Sequence, residues 1–183
     1  MIAPVTVSLK DRTKLFQFIR DIPYRIALSQ DEQDYSCAAK TPMLQKMLST
    51  VGLKSRRICC QFEWKSFGLP EDILKQAIAT ECGHEYLEVY IPENDKWVAA
   101  DPTWDSKINS TGLPIAEWDG MNPTALAIKP TKVFSPEESA KINEEVENAS
   151  KEAWNTFFEE NRIFFRSLNA WFERHRQNAG QHA

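Results

Sequence analysis

At 183 residues the chain fits one domain with a possible appendage, and is long enough to bury a real core. Apolar content of 42% and charged content of 26% suit an ordinary globular protein, and a net charge of −4 without a Lys/Arg run argues against a nucleic-acid partner. No apolar run nears the ~18 residues of a membrane span, Met1 to Val7 lacks the charged start of a signal peptide, and the four cysteines (Cys37, Cys59, Cys60, Cys82) spell no disulfide framework, so a reducing, cytoplasmic setting is expected.

In chain order, apolar Leu15, Phe16, Phe18 and Ile19 predict a short amphipathic helix over 11–20, stopped by Asp21-Ile22-Pro23. The polar stretch 29–36 reads as a loop. Leu44, Met47, Leu48 and Val51 then follow helical spacing, with Gly52 placed to end the helix. Its start is open. Ser36 as cap would put Cys37 in the first turn, where free N–H groups favour a thiolate. Pro42 opposes that start, and local rules favour Thr41 as cap with Pro42 at the first helical position.

Residues 57–64 alternate, which predicts a half-buried strand with Cys60 in the core and Cys59 partly exposed. A short helix or turn is expected over 69–79, an irregular loop over 105–123 and a final edge strand over 124–128. Between them, residues 83–91 and 97–105 are β-branched and aromatic, separated by Pro92-Glu93-Asn94-Asp95-Lys96, and predict a hairpin. His84, Tyr86, Glu88 and Tyr90 share one face of its first strand. A two-residue tip at 92–93 or 93–94 sets Asp101 opposite His84 or Tyr86, on the same face as His84 either way; a three-residue loop would separate them. The hairpin can thus hold an imidazole beside a carboxylate, and Cys37 supplies a nucleophile.

Ser135-Pro136-Glu137-Glu138 is a strong helix start, and no Gly or Pro follows until Gly180. One helix of that length would far exceed the width of a small domain, so a break or a projecting helix is expected. Its second half is apolar on a wide face. That face either covers the core or, through Trp154, Phe158, Phe165 and Phe172, supplies a homodimer interface.

Cys37-x-x-Lys40 with Leu44, Leu48 and Gly52-Leu53, His84-x-Tyr86-x-Glu88-Val89, and Trp97-Val98-Ala99-Ala100-Asp101-Pro102-Thr103 together resemble the three motifs of the transglutaminase-like superfamily. The resemblance spans about residues 12–130. It implies an α+β, papain-like fold in which a nucleophile helix starting near Cys37 packs on an antiparallel sheet. Residues 1–130 would form the catalytic domain and 131–183 a helical extension packing on the domain or on a partner. It further implies a Cys37–His84–Asp101 triad performing acyl transfer on a peptide or small-molecule amide through a thioester, with no cofactor. Tyr35 and Tyr86 depart from the residues common in that family. Gln33, Gln30 or Trp104 could complete an oxyanion site; Tyr86 and Glu88 are candidates to support the triad. Two other readings stand beside this one: a non-catalytic binding module that keeps the fold, and a metal site drawing on Cys82, His84 and either Cys59 or Cys37. Neither Cys-x-His nor adjacent cysteines is a usual zinc spacing, and no EF-hand-type calcium loop is present.

Overall fold

A computed structural model describes residues 7–180; Met1 to Thr6, part of the stretch considered for a signal peptide, lie outside them. The chain is α+β, with four antiparallel strands and a long C-terminal helix. Helix α1 (Leu9–Arg20) is capped by Ser8, whose hydroxyl accepts from the Asp11 amide, and ends ahead of Pro23 as expected. Helix α2 (Cys37–Thr50) starts at Cys37, with Pro42 inside it. The later start that local rules favour does not occur. A proline costs about 3 kcal/mol inside a helix. The extra first turn is held instead by Lys40 and Thr41, both fully buried and hydrogen-bonded to the carbonyls of Arg20, Thr103 and Glu85. Helical spacing places Cys37, Thr41, Leu44 and Leu48 along one side of α2, so the face that anchors the helix carries the thiol at its end.

The sheet runs β3–β2–β1–β4, from β1 (Ser55–Glu63), β2 (Glu81–Ile91), β3 (Lys96–Ala100) and β4 (Lys132–Val133). The hairpin forms with Leu87 opposite Ala100 and Ile91 opposite Lys96. Continued one step, this register sets Asp101 opposite Tyr86 and diagonal to His84. The turn lies at 92–95, where Asp95 adopts a left-handed φ of 54°. The expected strand at 124–128 is instead an extended segment: the Thr124 amide donates to the Ala99 carbonyl, and the Thr124 hydroxyl accepts from the Asp101 amide. The edge strand falls at β4, after Pro130 rather than before it, and the short helix expected over 69–79 is α3 (Glu71–Leu74).

The expected break in the C-terminal helix lies at 148–150, between α4 (Pro136–Glu147) and α5 (Lys151–Gly180). Ser135 and Glu138 form the reciprocal cap that opens α4. Helix α4 covers part of β1. There Cys59 is buried, not partly exposed: its amide donates to the Ser139 hydroxyl and its thiol meets the Asn143 carbonyl oxygen. Helix α5 builds much of the core on one sheet face. Phe164, Phe165, Leu168, Trp171 and Phe172 pack with Tyr24, Trp104 and the β1 residues Ile58, Cys60 and Phe62. Phe165 and Phe172 are therefore spent inside their own chain and offer little to a homodimer face; Trp154 and Phe158 stay partly exposed. No helix among the described residues is long and apolar enough to cross a membrane.

Candidate active site

Strand β2 begins six residues before its first pairing with β3, so Glu81–Tyr86 overhang the hairpin, and His84 rides on this overhang. Helix α2 closes against it. Thr41, one turn beyond Cys37, donates its hydroxyl to the Glu85 carbonyl at 3.0 Å. That bond fixes the helix start to the residue beside His84.

His84 is buried, and its Nε2 lies 2.8 Å from Asp101 Oδ2. Asp101 is held from every side. Its Oδ1 accepts from the Thr103 hydroxyl at 2.6 Å and the Thr103 amide at 3.2 Å, and its Oδ2 also accepts from the Ala127 amide at 2.7 Å. Burial alone would raise this carboxyl. The neighbouring imidazolium and these donors hold it below the usual carboxylate range. Burial likewise works against charge on His84, but Asp101, by charge and by hydrogen bonding, and the nearby Cys37 sulfur overcome it and raise the imidazole to about 10. With Nε2 committed to Asp101, Nδ1 is the ring nitrogen left for the thiol. The three residues singled out in the sequence thus meet in one place.

A network the motifs did not reveal stabilises this arrangement. Lys40 is fully buried and donates to the Arg20 carbonyl at 2.8 Å and the Thr103 carbonyl at 2.9 Å. It ties α2 to the loop holding Asp101, and burial pushes its ammonium down to about 7. Beyond that loop Asp105, fully buried, accepts from the Tyr24 amide and pairs with Arg176 of α5 at 2.8 Å. Upstream, Asp34 accepts from the amide and hydroxyl of Ser36 and fixes the turn into α2. Asp34-x-Ser36 and Asp101-x-Thr103 are local side-chain turns that could have been read from spacing. The Asp105–Arg176 pair joins residues 71 positions apart, and nothing local signals it.

The supporting candidates fare differently. The Gln33 side chain is exposed and donates to the Asp34 carbonyl. Gln30 is tied to Lys151 and Asn155 at the start of α5. Trp104 sits beside the site, but its indole N–H donates to the Ala127 carbonyl at 2.8 Å. The donors of Gln30 and Trp104 are thus engaged elsewhere, and Gln33 lines neither cavity at Cys37. Glu88 pairs with Arg56, and Tyr86 is buried in the core; neither lines the space around the thiol. Among the described residues, no group of three His, Cys, Asp or Glu side chains is placed to hold a metal ion, so Cys82, His84, Cys59 and Cys37 do not assemble as a ligand set.

Two cavities meet at Cys37 and His84. One, of about 280 Å³, is walled mainly by aromatic side chains of β1, α5 and the loops. The other, of about 930 Å³, lies between α2, β1 and α4 and includes Arg57, Glu85 and Glu147. Trp154 stands in the wall of both. The thiol is thus reachable, and there is space on either side for a substrate. Comparison of the chain with family models, with curated proteins and with solved structures returned no match.

Proposed function

We propose that this chain is a cysteine-dependent acyl-transfer enzyme of transglutaminase-like, papain-like type, acting on a carboxamide. The observation that carries the proposal is the buried 2.8 Å contact of His84 with Asp101, on a ring whose charge state the Cys37 sulfur influences. His84 takes the thiol proton through Nδ1 while Asp101 holds the ring in place and stabilises the imidazolium. The sulfur attacks the carbonyl carbon, forming a C–S bond. The C–N bond then breaks, and the leaving ammonia or amine takes the proton from His84. Water or an amine resolves the thioester, giving hydrolysis or transamidation. As the first residue of α2, Cys37 has a backbone N–H without an intrahelical partner, suited to holding the developing oxyanion.

The other three thiols set up the test. Burial raises Cys59 to about 11 and both Cys60 and Cys82 to about 12, which disfavours their thiolates at neutral pH, Cys82 included although it is half-buried beside the smaller cavity at Cys37. Iodoacetamide at pH 7, followed by peptide mass mapping, is expected to modify Cys37 alone. His84→Asn is expected to slow that labelling by roughly 10²-fold or more, the scale of a lost general base. Labelling spread over several cysteines, or indifferent to His84, would sink the proposal. With glutamine peptides, a deamidated product points to hydrolysis and incorporation of a primary amine to transamidation.

A further inference from the structure

The smaller cavity is more selective in composition than the chemistry at Cys37 requires. Phe62, Trp64, Phe67, Trp104, Trp154 and Phe165 supply most of its wall, and it reaches the thiol and the imidazole directly. No Lys, Arg or Glu lines it, and its one carboxylate, Asp34, is already occupied by the Ala27 amide and by Ser36. The Trp104 N–H is spent as well. A charged group entering here would lose its water, and the one cationic neighbour, His84, is already paired with Asp101. An apolar group would lose nothing and would cover Phe157, which stands 42% exposed at the rim. An apolar cavity of about 150 Å³ suffices to hold benzene, so about 280 Å³ accommodates a ring together with its tether.

Resting on the acyl-transfer reading above, we infer that the substrate carries an uncharged apolar group, an aromatic ring or a branched aliphatic chain, on one side of the reacting carbonyl, and that this group sits in the aromatic recess. The remainder of the substrate runs into the larger cavity, whose wall is charged where Arg57 pairs with Glu85 and Glu147. Gly83 lies in the wall of both cavities, and a Cβ built on it meets nothing within 4 Å. The backbone beside His84 is therefore open along the path between them.

The test uses chloroacetamides whose nitrogen carries hydrogen, benzyl, cyclohexylmethyl or carboxymethyl, with each rate on Cys37 divided by the rate of the same reagent on glutathione. The benzyl and cyclohexylmethyl reagents are expected to react at least tenfold faster than the unsubstituted one and to saturate. The carboxymethyl reagent is expected to show no gain. Trp154→Ala and Phe157→Ala, at part-exposed positions, should each bring the benzyl-to-unsubstituted ratio down severalfold. Equal normalised rates, with labelling still dependent on His84, would overturn the recess assignment alone. Labelling indifferent to His84→Asn would overturn the triad, and the substrate assignment with it.

Discussion

On one face of the sheet, Leu44, Leu48, Leu87, Val89 and Ile91 are fully buried and fill the space under α1 and α2 with aliphatic carbon. On the other, Trp64 meets Phe62 and Phe164 edge to face, as Trp104 meets Tyr24 and Phe67, with ring centroids 4.6–5.1 Å apart. Flexible branched chains interdigitate down to crystal-like density. Rigid rings in edge-to-face contact are less able to close every gap, and here they border the recess beside Cys37. The aliphatic side fixes α2; the aromatic side borders the space beside Cys37.

The largest effect is expected from detaching the aromatic side. Arg176→Met leaves Asp105 buried without its cation, and losing one partner of a buried pair costs about 3–5 kcal/mol. Urea unfolding should show a loss of that size, and a loss below about 1 kcal/mol would mean that α5 is not anchored by this pair. Next comes the aliphatic side. Leu48→Ala removes a fully buried side chain directly behind the thiol helix and should cost about 2–5 kcal/mol. If the two faces divide their work as described, it should also lower the His84-dependent reactivity of Cys37 in the protein that remains folded. The gentlest probe is pH. Because the folded imidazole is raised to about 10 from an ordinary 6.5, its stabilising contribution is complete below 6.5 and is lost as pH rises through about 10. Asp101, held low, contributes above 3.8 and loses its share as the pH falls through its lowered value. The stability gap between the parent and His84→Asn should thus be widest between about pH 4 and 6.5 and narrow steadily on the alkaline side. A gap that widens above pH 7 would contradict the buried imidazolium.

What was legible in the sequence tracks the range over which each signal acts. The hairpin parity that sets His84 beside Asp101 is a period-two argument over fewer than twenty residues, and it holds in the register with Leu87 opposite Ala100. The Ser135–Glu138 cap is likewise local and is present. The start of α2 was not decided locally, because Pro42 weighs against it and the bonds that hold the first turn run from Lys40 and Thr41 to Arg20, Thr103 and Glu85, distant in sequence. Cys59 alternates as an outward residue, yet α4, some eighty positions away, covers it. The recess was invisible for the same reason: Tyr24, Phe62, Trp104 and Phe165 come from four distant segments, and no local pattern joins them.

Of the six tryptophans, Trp64, Trp104, Trp118 and Trp171 are buried and Trp97 lies on the hairpin surface. Trp154 alone divides the two spaces flanking the sulfur. Whatever enters either space changes the polarity around that indole, so the protein carries a built-in optical gauge of occupancy. Emission measured against a Trp154→Phe baseline reads it without a dye or a tagged ligand.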